Sequence, residues 1–362
     1  MQDPLSSLIF LSIISAIFSF GLVSYIIPKI IFMVNFHNLN EVPGERSSHT
    51  RATPTMGGLA FFVTLVLNLF LFKPVDTEYI GLNLAAAITI IFIVGLKDDL
   101  AVSTPRARVI VEIFAICIVF LHSDFHTTSL AGFMGIHELP TVVLDVLHVI
   151  IALTIINAYN LIDGVDGLAS TLGISIFSMF GLIFLTMGLN YYFLICVSLI
   201  CVLLAFMRYN FSHEKKIFMG DTGSLVIGFC IAILTLKFLT LDTTLFHKFT
   251  FAPQNKLLIV AAILAVPLFD MMRVIGVRLL KKQSPFTADR NHIHHILSDL
   301  GLEHYKIAIL LGLLNYTLAI ILIFFASIFN SFQMMFILPI IFVLLLGIFH
   351  KLKLLSLKKI NN

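Results

Sequence analysis

Eleven apolar runs partition this chain, and no other feature restricts its fold so sharply. Their approximate cores are 5–27, 56–72, 80–96, 107–122, 142–159, 168–187, 191–207, 222–240, 257–278, 306–327 and 333–350. About 20 apolar residues span the hydrocarbon of a bilayer. The spacing therefore predicts an all-α, polytopic integral membrane protein with about 11 transmembrane helices. Only 12% of residues are charged, against 59% hydrophobic and a mean hydropathy of +1.03; soluble domains carry about 25% charge. The first run lacks a basic leader and a small-residue cleavage site, so it reads as a retained helix rather than a signal peptide. Cys117, Cys196, Cys201 and Cys230 all fall inside apolar runs without metal-ligand spacing, and read as small core residues with no disulfide framework. With no internal repeat or low-complexity stretch, residues 1–362 read as one transmembrane domain.

Eleven crossings place the termini on opposite sides. If the C-terminus is cytoplasmic, all but Lys73, Lys237, Lys248 and Lys256 of the 23 Lys and Arg lie in inner segments. The positive-inside rule then predicts an outside N-terminus and a cytoplasmic C-terminus. The outer segment 122–141 carries no Lys or Arg, and Gly132, Gly135 and Pro140 predict a short hairpin or re-entrant turn. On this topology five polar clusters gather on the cytoplasmic side.

The central cluster is NAYNLIDGVDGLAS, 157–170, with Asn157, Asn160, Asp163 and Asp166 at intervals of three. An acidic side chain at mid-bilayer costs roughly 2.5–3.5 kcal/mol, and a spacing of three drifts around a helix. One membrane helix is thus predicted to end near Asn160 and another to begin near Leu168. Oxygen-rich groups of this kind suit Mg2+ or sugar hydroxyls, while Asp-Gly pairs are also ordinary turn chemistry.

The other clusters carry complementary chemistry. In GERSSHTRATPTMGGLAF, 44–61, Arg46, His49 and Arg51 precede a helix start, as a phosphate site or a capped positive-inside loop would. In GLKDDL, the adjacent carboxylates Asp98 and Asp99 repel each other unless a cation or proton is shared, and they stand at the unfavourable end of a helix dipole. In FMGDTGSL, Asp221 is either a metal ligand or a helix cap, with Gly220 and Gly223 permitting close approach of a pyrophosphate. Asp270 lies inside an apolar run with Arg273 at i+3, the spacing of a structural bridge. The loop that follows ends DRNHIHH, placing Asp289, Arg290, His292, His294 and His295 together; without Cys or an HExxH helix, phosphate recognition suits it better than zinc. Carboxylates that can hold Mg2+ inside a basic rim are the equipment of phosphoryl transfer.

Taken in order, TPTMGG, LKDDL, NAYNLIDGVDGLAS, FMGDTGS and DRNHIHH resemble the polyprenyl-phosphate N-acetylhexosamine-1-phosphate transferase family, from about residue 44 to 297. The resemblance implies a bacterial inner-membrane enzyme with a cytoplasmic active site. It would move a sugar 1-phosphate, here GlcNAc-1-phosphate, from UDP-GlcNAc to undecaprenyl phosphate with release of UMP. That reaction would be the first membrane step of an envelope polysaccharide. It also implies Mg2+ (or Mn2+), the lipid bilayer and a homodimer as partners, and no nucleic acid. The HIHH ending and PLFDMMRVIGVR resemble the UDP-GlcNAc branch; TPTMGG resembles the muramoyl-pentapeptide branch. Carried over, the catalytic positions are Asp98, Asp99, Asp163 and Asp166. The metal positions are Asp221, Asp98 and Asn160. The substrate positions are Arg46, His49, Asn157, Asn160, Arg290, His292, His294 and His295. Val102 and Glu112 depart from the family pattern near the lipid site.

Because a phosphate monoester has a second pKa of about 6, no strong base is required, and Asp98 or Asp99 is expected to position acceptor or metal at least as much as to take a proton. A transporter would place charges near the midplane on broken helices, and only Asp270 with Arg273 leans that way. An intramembrane aspartyl protease matches only in MGD, 219–221, with Phe218 where its first glycine would stand.

Overall fold

The computed structural model describes residues 4–37, 40–41, 53–101, 104–284 and 291–361. They form an all-α bundle: α1 (Pro4–Phe36), α2 (Gly58–Leu71), α3 (Gly81–Leu100), α4 (Pro105–Phe120), α5 (Thr141–Ile162), α6 (Leu168–Met187), α7 (Asn190–Asn210), α8 (Gly220–Thr240), α9 (Lys256–Ile263), α10 (Ala265–Leu280), α11 (Ile293–Asp299), α12 (His304–Ile328) and α13 (Ser331–Asn361). Among the described residues, eight helices are long and apolar enough to cross a membrane, nine if α9 and α10 make one bent span. The shorter apolar α2 and α4, which carries Arg106, Arg108 and Glu112, occupy the other predicted cores. The chain is an integral membrane protein.

Helix α8 is apolar on all sides past its first turn and is accordingly buried from Thr222 to Leu239, the expected place for such a helix. Helices α3 and α5 pack on it in the opposite direction: Asp99 and Asn160, near their ends, meet the start of α8, while Glu78, before α3, meets its end at Lys237. Away from both ends a polar knot ties three helices: the Asn68 amide donates to Ser19 Oγ at 2.9 Å and Ser198 Oγ at 2.8 Å. Cys196 and Cys230 are buried as expected, but Cys117 lies exposed.

Two strand pairs interrupt the helices, both antiparallel: β1 (Asn40–Glu41) with β2 (Thr53–Pro54), and β3 (Ser129–Phe133) with β4 (Ile136–Glu138). The second is the hairpin expected in 122–141, its turn made by Gly132 and Gly135 at φ +82° and +81°.

One predicted helix is in fact broken. The run 257–278 divides at Leu264 into α9 and α10, bent by 72°. Pro267 removes a backbone donor just after the break and crowds the preceding turn. Asn315 of α12 satisfies what the break exposes, accepting the Val266 N–H at 3.0 Å and donating to the Ile263 carbonyl at 3.0 Å. The bend carries Asp270 towards α11, which rests on a separate apolar cluster of Phe269, Ile293, Leu297, Ile307 and Leu311.

Candidate active site

The site is organised around the first turn of α8. There the Asp99 carboxylate accepts the backbone N–H groups of Asp221 at 2.7 Å and Thr222 at 3.1 Å, together with the Thr222 hydroxyl. A side chain from the end of α3 thus caps a different helix. Helix starts leave several N–H groups unpaired and carry positive partial charge, so the position that is wrong for a carboxylate on α3 is right for it against α8. Helices α3 and α2 can approach α8 this closely because of glycine. A Cβ on Gly95 would come within 2.5 Å of Thr222 Cα, and one on Gly58 within 2.2 Å of the Gly223 nitrogen. Gly57 and Gly58 donate to the carbonyls of Phe218 and Met219, and Phe218 donates back to Pro54. Gly223 is therefore covered by α2 and is not open to a pyrophosphate, while Gly220 faces Asp99.

Asp221 itself points away from this cap and is 41% exposed. The Asn160 amide donates to its Oδ1 at 2.7 Å and to Ser224 Oγ at 2.7 Å. Arg108 stands 3.9 Å from the same oxygen. That arginine is aimed by Glu112, fully buried, which accepts from Arg108 Nε at 3.0 Å and from the Asn157 amide at 3.1 Å. Asn157, Asn160, Asp221 and Asp99 are thereby brought into one network. Asp98 is half-buried beside it, and its Oδ1 is buried with no hydrogen-bond partner among the described residues.

The histidine segment forms the second part. Asp270 Oδ2 meets His292 Nδ1 at 2.7 Å, and its Oδ1 accepts from Ile293 N–H at 2.9 Å and from Arg273 Nη2 at 3.1 Å. Arg273 also donates to the Asn291 carbonyl. The expected Asp270–Arg273 bridge is present, and it clamps the start of α11. His294 lies between the rings of His292 and His295, at 5.6 and 4.3 Å, with Nε2 against Gly164. Burial, aided by the neighbouring His295, pushes its pKa down to about 3, so it is a neutral ring.

Asp163 closes α5, its N–H bonded to the Asn160 carbonyl at 3.3 Å. Asp166 is engaged differently: Lys216 Nζ and His304 Nδ1 both lie 2.7 Å from its Oδ2. Burial alone would raise this carboxyl, but His304 and Lys216 outweigh it and hold it below the ordinary value. Asn210 pins the same loop, accepting Gly167 N–H at 2.6 Å. Arg46, His49, Arg51, Val102, Asp289 and Arg290 lie outside the described residues.

Reading by motif passed over Lys216, His304 and Asn210, which carry no local signature. Arg108 and Glu112 had one, since their i, i+4 spacing is that of a helical ion pair.

Among the described residues no three Asp, Glu, His or Cys side chains converge as a ready-made cage. Mg2+ commonly binds through one or two carboxylates, completing its shell with water and substrate phosphate. The unpartnered oxygen of Asp98 and the open carboxylate of Asp221 fit that mode.

Comparison with known proteins bears on what this network serves. The model of glycosyl transferase family 4 matches residues 82–239. A Bacillus subtilis (strain 168) protein named probable undecaprenyl-phosphate N-acetylglucosaminyl 1-phosphate transferase is 34% identical over 284 residues, 77% of this chain and 75% of its own. The undecaprenyl-phosphate alpha-N-acetylglucosaminyl 1-phosphate transferase of Escherichia coli (strain K12) is 30% identical over 282 residues, 76% and 73% of the two chains. That of Yersinia pestis is 28% identical over 287 residues, 78% and 76%.

Proposed function

The chain belongs to glycosyl transferase family 4, and from that membership we propose that it transfers GlcNAc-1-phosphate from UDP-GlcNAc to undecaprenyl phosphate. The observation that carries this reading is the convergence of Asp98, Asp99, Asn160, Arg108 and Asp221 at one end of α8. It occurs in a chain 34% identical to a protein bearing that activity in its name. The bias of Lys and Arg supports placing this end at the cytoplasmic face of a bacterial inner membrane, where a UDP-sugar is available.

In the reaction an oxygen of the lipid phosphate forms a bond to the β-phosphorus of UDP-GlcNAc. The bond from that phosphorus to the bridging oxygen breaks, and UMP leaves with the electron pair. The acceptor is mostly ionised at neutral pH, its second pKa being about 6. The protein's task is therefore to align two anions and offset their charge. Asp98 and Asp221 would hold Mg2+ or Mn2+, which supplies positive charge to the pyrophosphate. Asn160 orients Asp221, and Glu112 turns Arg108 towards the same place, where a guanidinium can meet phosphate oxygens. Asp99, committed to α8, sets the position of Asp221 rather than exchanging protons. The Asp270 clamp holds His292, and His294 stands beside Gly164, next to Asp163, as the sugar-side wall.

Purified protein with undecaprenyl phosphate and Mg2+ is expected to release UMP from UDP-GlcNAc, and EDTA to stop it. Turnover only with UDP-MurNAc-pentapeptide would keep the reaction and change the sugar. No lipid product from either donor would sink the proposal.

A further inference from the structure

We propose that the opposite end of the molecule carries a second binding site, for an organic ammonium group. A cavity of about 220 Å³ opens between the segments 74–78 and 188–192. At about 30 Å³ per water it holds roughly seven, which is more room than a bare metal ion needs.

Its walls are acidic and aromatic. Asp76 is 8% exposed and accepts the N–H groups of Ile80 at 3.1 Å and Gly81 at 2.8 Å. Among the described residues no cation pairs with it. Glu78, also in the wall, shares Lys237 with Asp124, at 2.8 and 3.6 Å. Glu78 and Asp124 thus share one ammonium, and Asp76 stands in the wall without one among the described residues. His122 is held at the rim, its Nε2 against the Glu78 carbonyl and its Nδ1 against the Asp124 N–H, with the Asp124 carboxylate 4.0 Å away. Among the described residues no Lys, Arg or His lines the cavity.

The independent sign of a missing ligand is Tyr191. It is 4% exposed and lines the cavity, yet among the described residues its hydroxyl has no hydrogen-bond partner. It stands beside Gly81, near Asp76: a Cβ on Gly81 would meet both, at 2.8 and 2.9 Å. Buried hydroxyls are ordinarily satisfied. A primary ammonium offers three donors, enough for the Tyr191 oxygen and the Asp76 carboxylate together, and the Tyr191 and Tyr192 rings favour a cation at their faces. Such a group occurs in the ethanolamine head of a phospholipid and in small soluble amines.

Native mass spectrometry of the full chain in detergent distinguishes these sources. Phosphatidylethanolamine retained in preference to phosphatidylglycerol, and held about five-fold more weakly by Tyr191→Phe, supports the site with a lipid occupant. Binding of free ethanolamine, without lipid preference but with the same Tyr191 dependence, supports it with a soluble one. No preference for either amine overturns the proposal. So does binding unchanged in both Tyr191→Phe and Asp76→Asn, with sugar-phosphate transfer intact to show that the variants fold.

Discussion

The two ends of α8, about 30 Å apart for a helix of its length, use charge in opposite ways. At the far end Lys237, 5% exposed, is closed in by Glu78 at 2.8 and 2.9 Å and Asp124 at 3.6 Å, while Tyr192 donates its hydroxyl to Glu78. Around Lys237 itself cation and carboxylates complete one another, in contrast to the neighbouring Asp76 and Tyr191. At the near end Asp99 is equally committed, but to backbone N–H groups, and its neighbours keep oxygen atoms in reserve. Among the described residues Asp98 has an unpartnered Oδ1, and Asp221 meets only an amide and an arginine at 3.9 Å. Buried charge with every valence filled holds a helix in place; buried charge with valences left over waits for a ligand.

Substitutions at the two ends should separate these uses. Asp221→Asn is expected to cost about 10²–10³ in Mg2+-dependent kcat, the scale of losing several kcal/mol of charge stabilisation, with the melting temperature nearly unchanged. Most of the activity surviving at ordinary Mg2+ would show that the near end is as structural as the far one. Lys237→Met leaves Glu78 without its ion partner and should cost about 3 kcal/mol of stability, with KM for UDP-GlcNAc unaltered, as detergent unfolding and initial rates would show. A KM that rose with lost stability would erase the contrast.

The smallest expected effect is in pH. His294 stays neutral in the folded protein down to about 3, whereas an unfolded histidine takes up its proton near 6.5. Between those values the unfolded state binds more protons, so stability falls as pH falls, by about 2 kcal/mol from pH 7 to 5. Asp166, held below its ordinary value, keeps its own contribution until the pH drops further, below the normal carboxylate range. Melting curves at pH 7 and 5 should show the loss in the native chain, and His294→Gln should flatten it. An identical slope in that variant would place the acid sensitivity elsewhere.

Apolar run length was enough for the fold class, because hydrocarbon leaves a backbone few alternatives to a helix. The hairpin at 129–138 was legible from its glycines, and the convergence of Asp98, Asp99, Asn160 and Asp221 could be anticipated from motif order. Other features depended on partners distant in sequence. The break at Leu264 needed Asn315, some fifty residues on, to satisfy the opened backbone. Asp166 found Lys216 and His304, and Gly223 was covered by Gly58 rather than left for a ligand.

What the sequence by itself determined is where polar groups interrupt apolar helices, since a charge in lipid is expensive wherever it occurs in the chain. Only the tertiary structure decided how each carboxylate is used. Asp98 and Asp99 are adjacent and chemically identical, yet one helix step turns Asp99 onto the N–H groups of α8 and leaves Asp98 with an oxygen unpaired. About 100° of rotation per residue separates the two side chains, and what each meets is set by the neighbouring helix, not by the motif.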